Sequence, residues 1–347
     1  FYILFLFFII FFIKFSTVNV NANTYKVVDL KISKTYDNNF NKEEVIDIAF
    51  KKAFEELILR ITTTDGEKIS KLTNLKTIYS LIESFSIVDE KFIDNKYVSK
   101  FEVEFSKKEL FKYLEKKNIF PSQIVKEQFL FIPIIIEENG NDLSIFSDNP
   151  IYANWNKINK RYQLIKYLLP SEDLEDFNLI KKKLDVIETY NFSEITKKYF
   201  LKNSIISLIF RGNNELRILT KIYNHENEII KNDTFKNINI DNEKDLNFLI
   251  ENLKNLYEDT WKKLNEINTS IKVPITIKIK SEDLKKSNNF ELFLNEIDMV
   301  SDYSIQKFDK EFIFYEVLFN GTVQNFINIM KNKKYNLNTQ KKVWIIE

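Results

Sequence analysis

The chain has no cysteine and a single histidine, His225, among 347 residues. Without a thiol there is no disulfide, no thiol nucleophile and no Cys-ligated zinc. One histidine rules out a two-His metal site, and a Ser-His-Asp arrangement would have to recruit His225 from a turn beside Glu226 and Glu228. Glycine and proline are scarce, at four and five. Gly66, Gly140, Gly212 and Gly321 stand far apart, so neither the dinucleotide fingerprint nor a phosphate-binding P-loop can form. A charge surplus is missing too: 51 Lys and Arg face 50 Asp and Glu. That balance argues against nucleic acid as a partner, and the lysine-aromatic interleaving from Lys108 to Tyr113 reads as an amphipathic helix.

What is present is a globular composition, 44% apolar and 29% charged, able to bury a core. From Phe1 to Ile13 every residue is apolar, and Lys14, a polar stretch and Val20-Asn21-Ala22 follow. This predicts an export signal cleaved after Ala22, residues 1–22, and a periplasmic location in a bacterial envelope. The run is shorter than the roughly 20 residues a span requires. A retained anchor is the rival reading, and no second membrane span is expected after the signal.

The remainder divides into three segments, 23–120, 124–268 and 270–347, each mixing helices with strands. The class expected is therefore α+β, with three small sandwich-like domains. In the first, Tyr25–Ser33 reads as a strand, and Asn41 with Glu44 as a capping box. Ile46, Ala49, Phe50, Ala53, Leu57, Ile58 and Ile61 make one helical stripe. Tyr97, Phe101, Val103 and Phe105 alternate with polar residues as in a half-buried strand, with Ser86–Phe92 its hairpin partner. Ser106 with Glu109 suggests another capped helix. In the middle segment Phe129–Ile136 is apolar enough for a strand covered on both faces, and Pro133 points to a strand end or edge. Leu164–Leu169 is a further strand. Three more, 205–210, 216–223 and 228–235, are joined by turns, and Asp241 is expected to cap a long amphipathic helix. The last segment reads βαββαβ, the ferredoxin-like order, with Val343–Ile346 completing the sheet.

Several stretches in combination resemble a family of uncharacterised exported bacterial proteins called domain of unknown function 2066. They are AFKKAFEELILRIT, SFSIVDEKFIDNKYVSKFEVEFSKKEL, FLFIPIII, FSDNPIYANW, LLPSEDLED and LFNGTVQNFINIM with VWII. The likeness spans nearly the whole chain after the signal. Where relatives carry Trp after the Asn-Pro of the middle block, this chain has Ile151. The middle segment also resembles, more loosely, the N-terminal domain of TolB. The resemblance implies an envelope compartment and this layout, and no catalytic residue.

Asn149, Pro150, Tyr152 and Trp155 are the candidate interaction surface, because paired aromatics beside a loop can anchor a partner. Tyr152 and Trp155 lie three apart, so the same residues also suit a helical face packed inward. Glu172, Asp173, Glu175 and Asp176 offer oxygens to a hard cation, yet acidic residues after Pro170 equally suit a helix start. No cofactor, metal or catalytic residue is implied. The expected function is a non-enzymatic interaction or assembly module whose partners are other envelope proteins. The alternative is a carboxylate-dependent hydrolase, for example one acting on glycans, with its site unlocated.

Overall fold

The computed structural model describes residues 25–137, 142–224 and 227–346. The expected signal segment, Gly140 and His225 lie outside the described residues. Three sheets with their helices make the fold α+β, and each sheet falls within one of the three sequence segments. Among the described residues no helix is long and apolar enough to cross a membrane.

The first segment runs β1 (Lys26–Thr35), α1 (Lys42–Ile61), α2 (Gly66–Leu72), α3 (Leu75–Leu81), β2 (Ile82–Ile93), β3 (Lys96–Phe105) and α4 (Lys107–Glu115). Its antiparallel strands lie in the order β1-β3-β2. Asp94 and Asn95, both at positive φ, form the two-residue hairpin turn between β2 and β3. Helix α1 covers the sheet through Val45, Ala49, Phe50, Ala53, Phe54, Leu57, Ile58 and Ile61. The stripe thus rotates from the expected one, with Val45 and Phe54 inside and Ile46 half-buried. The Asn41 side chain caps α1 by accepting from the Glu43 amide, but Glu44 turns away to pair with Lys34, so no capping box closes. Ser106 precedes α4 without a capping bond from its side chain.

The middle segment holds β4 (Glu127–Glu137), β5 (Leu143–Ser144), α5 (Pro150–Trp155), β6 (Ile165–Leu168), α6 (Leu174–Lys182), α7 (Ser193–Thr196), β7 (Asn203–Arg211), β8 (Glu215–Asn224), β9 (Asn227–Lys236) and α8 (Glu243–Leu264). The sheet order is β5-β4-β7-β8-β9, with β6 also on β4. One face packs Phe129, Phe131 and Ile135 against α5 and α8, while Leu130, Ile132, Ile134 and Ile136 pack against α6 and α7. Two-sided cover is what the unbroken apolar run requires. The cap of α8 is Asn242 and not Asp241. Its carboxamide oxygen accepts from the Lys244 and Asp245 amides, whereas Asp241 pairs with Arg211.

The last segment consists of β10 (Val273–Lys280), α9 (Leu284–Glu296), β11 (Val300–Phe308), β12 (Phe312–Phe319), α10 (Val323–Asn332), β13 (Leu337–Asn338) and β14 (Trp344–Ile346), in sheet order β11-β12-β10-β14-β13. The first four positions follow the ferredoxin-like order, with one correction. β14 runs parallel to β10 and is preceded by the short antiparallel β13. Of residues 333–342 only Tyr335 and Leu337 are apolar. The next segment able to cover the core is Trp344–Ile346, and the chain reaches it only after reversing direction.

The three sheets are tied together. From the middle segment, Arg161 donates to the Val28 and Asp29 carbonyls of the β1 bulge and pairs with Glu56. Lys262 Nζ donates to the Leu59 carbonyl at 2.6 Å. The first and last segments meet where Tyr25 donates to Asp298 at 2.9 Å and Lys107 to the Ile297 carbonyl at 2.8 Å.

Candidate functional site

The four candidate residues sit at one structural weak point of β4. Strand β7 pairs along one side of β4 through Glu137, but on the other side β6 covers only 127–130 and β5 only 135–136. Pro133 falls in the gap. The amide and carbonyl of one strand residue point to the same edge, so a proline here removes no ladder bond. Its carbonyl is taken by Asn149 Nδ2 at 3.1 Å, which also donates to the Ser144 carbonyl at 3.1 Å. Asn149 Oδ1 accepts from the Ile151 and Tyr152 amides and caps α5. One buried carboxamide thereby closes a sheet gap and starts a helix.

That geometry corrects the expected surface. Asn149 and Trp155 are both 0% exposed. Trp155 stacks on Phe131 with ring centroids 3.9 Å apart and meets Tyr167 edge-on at 5.2 Å. Pro150 opens α5, and Tyr152, half-buried, donates its hydroxyl to the Pro170 carbonyl at 2.7 Å. The inward spacing of Tyr152 and Trp155 wins because the sheet gap needs a filler and the indole finds an aromatic bed. The acidic run likewise serves the fold: Asp173 caps α6 by accepting from the Glu175 and Asp176 amides, and buried Asp176 pairs with Lys198 at 2.6 Å.

Sequence reasoning missed a buried polar column on α8. Lys254, Glu258 and Lys262 follow one another at four-residue spacing, each one place beyond the apolar positions Leu253, Tyr257 and Trp261, and all are nearly inaccessible. The Lys254 ammonium lies 5.1 Å from both the Trp155 and Tyr167 rings and donates to the Ile158 carbonyl and Asn159 Oδ1. Glu258 accepts from the Leu164 and Ile165 amides, holding the entry to β6. The signal was there in the charges bordering the stripe at its own period, but periodicity does not say that a neighbouring loop will fold over them.

Burial pushes the Lys254 ammonium down to about 8, against the opposing pull of the Glu258 carboxylate. The folded state then holds fewer protons than the unfolded chain between about pH 8 and 10.4, so this group makes stability rise with pH across that window. Above it, buried Tyr257, raised to about 12 by burial, acts in the opposite sense. The urea midpoint is expected to gain more between pH 7.5 and 9.5 in the native chain than in Lys254→Met. Lys107 and Lys262, also lowered by burial, leave a residual rise in both. Equal gains in the two proteins would remove Lys254 as the source.

Four carboxylates, Glu55, Glu67, Glu258 and Asp259, line a space of about 240 Å³ between the first and middle segments. Three of them are engaged. Glu258 holds backbone amides, Asp259 accepts from Thr64 N and Oγ1 at 2.9 and 2.6 Å, and Glu67 pairs with Lys71 at 2.5 Å.

Exposed apolar groups gather instead on β2, which among the described residues pairs only with β3 and leaves its other edge open. Phe85, Val88, Phe92 and Ile93 are 47%, 61%, 61% and 52% exposed. Phe92 joins Tyr36, Phe40 and Tyr97 in a chain of ring contacts at 4.8–5.2 Å. The Tyr97 hydroxyl donates to Glu90, which also pairs with Lys42. The result is a twelve-residue edge with an aromatic cluster at the turn end. The chain matches no protein-family model and no curated protein.

Proposed function

We propose that the chain is a non-enzymatic interaction module, working in the bacterial cell envelope that its resemblance to domain of unknown function 2066 implies. The observation that carries this reading is the open β2 edge with its exposed apolar side chains. A free strand edge offers unpaired backbone donors and acceptors, and native proteins usually shorten it, charge it or cover it. Here Glu83, Asp89 and Lys91 and two register shifts blunt the edge, yet Val88 and Phe92 stay outward. An extended segment of an envelope protein pairing along β2 would gain main-chain hydrogen bonds, with Val88, Phe92 and Ile93 setting its side-chain preference.

The test is in-cell photo-crosslinking from position 88, compared with position 231 on β9, the edge of the middle sheet. A discrete adduct with another envelope protein is expected from position 88 and none from 231. Absence of any adduct from 88, or the same adducts from both positions, would leave the edge without a partner and the proposal without its support.

A further inference from the structure

A cleft lies between α4 of the first domain and the last domain. It consists of two adjoining spaces of about 330 and 740 Å³ that share Lys107, Lys108, Ser301 and Asp302. The smaller space falls in the range of pockets that take small organic ligands. Its wall is apolar at Phe111 and Leu318, and lysine stems add methylene surface. Lys107, Lys108, Lys112 and Lys272 line it against only two carboxylates, Glu115 and Asp302. The larger space adds Glu83 and Glu296 and no further lysine, so the positive surplus belongs to the smaller space alone, and that is where an anion would sit.

The ion pairs at the cleft are replaceable. Lys108 meets Asp302 at 2.8 Å and Lys272 meets Glu115 at 3.1 Å, each across the two domains. All four side chains remain partly exposed, and such pairs hold little net energy, so an incoming anion can take the place of a carboxylate. A second feature is independent of charge. Thr269 and Asn320, 3% and 1% exposed, line the same space, and Thr269 Oγ1 and Asn320 Oδ1 have no hydrogen-bond partner among the described residues. The Asn320 carboxamide cannot turn over to cure this, because its nitrogen already donates to the Thr269 and Ile271 carbonyls at 3.2 and 2.7 Å. Buried polar atoms are normally paired, and what Asn320 lacks is a donor.

We propose that this cleft binds a small amphiphilic anion with an apolar chain, a carboxylate or phosphate head and a hydroxyl group. The chain lies on Phe111, Leu318 and the lysine stems. The head sits among the ammonium groups, and the hydroxyl serves Thr269 and Asn320. This site is separate from the exposed stretch of β2 and does not rest on the interaction-module reading.

Calorimetric titration of the intact chain with 3-hydroxydodecanoate below its micelle concentration tests it, with dodecanoate and dodecanol as comparisons. The hydroxy acid is expected to bind about ten-fold more tightly than dodecanoate, a difference of about 1.4 kcal/mol, and dodecanol more weakly still. Lys112→Glu, on an exposed side chain that the fold does not need, is expected to weaken both acids about ten-fold. Thr269→Val loses no existing side-chain bond and is expected to erase the preference for the hydroxyl while dodecanoate still binds. Equal affinity for dodecanoate and dodecanol, or no effect of Lys112→Glu, would overturn the site. Heat seen only with phosphatidylglycerol vesicles, and none with the free acids, would replace it with a membrane surface.

Discussion

Deleting residues 343–347 is expected to unfold the last domain while the other two sheets stay folded. Strand β14 lies between β10 and β13, so its loss bares the backbone edge of β10 and strands β13. It also removes Ile346, which is 3% exposed, and Trp344, whose ring lies 6.3 Å from that of Phe326 on α10. Uncovering about 150–200 Å² of apolar surface at ~25 cal/mol per Å² costs about 4–5 kcal/mol. At about 0.1 kcal/mol per residue the last segment has about 8 kcal/mol in all, so this loss takes more than half of it before the broken pairing of β10 and β13 is counted. Hydrogen exchange of the full chain is the measurement. Amides of β10 and β12 are expected to lose protection in the deletion, and those of β7 to keep it. Unchanged protection in β10 would show that β14 is a loose appendage and not a structural strand.

Replacing Asn149 by alanine is expected to lower the stability of the middle domain by about 3 kcal/mol. Loss of an N-cap costs about 1 kcal/mol, and leaving the Pro133 and Ser144 carbonyls without their donor adds about 1–3 kcal/mol. Asn149→Asp separates the two roles. It keeps an oxygen to cap α5 but sets a carboxylate against two carbonyl oxygens, which raises the pKa of the introduced group in the folded state. Its deficit is therefore greatest at pH 7 and shrinks as the pH falls towards 4, where the protonated acid can donate again. Tyr152→Phe loses only the bond to the Pro170 carbonyl and should cost no more than about 1 kcal/mol. Urea unfolding at pH 7 and 4.5 reads all three variants. A loss under 1 kcal/mol for Asn149→Ala would show that the sheet gap does not depend on this side chain.

Much of the architecture was legible in local pattern. The alternation from Tyr97 to Phe105 identified β3 and its buried face, and the three consecutive strands β7, β8 and β9 were bounded by their turn residues. Element type and inward face depend on residues within a few positions of each other, where a period of two or 3.6 is written directly. The candidate surface was legible only as a pair of possibilities. The spacing of Tyr152 and Trp155 suits a recognition face and a core face alike, and choosing between them required knowing that β4 carries a gap at Pro133.

By itself, then, the sequence determined the α+β class, the longer strands and helices of each segment though not the short elements α2, β5 and β13, and the exclusion of thiol and P-loop chemistry. Only the tertiary structure decided what each face meets. It set Lys254 inside an aromatic bed, ran β14 parallel to β10, left β2 as an open edge and placed the α4 lysines across from Asp302 and Lys272. Each of these outcomes depends on groups many residues apart, whose encounter is chosen by the burial and pairing of the whole chain and leaves no periodic trace in any one stretch of it.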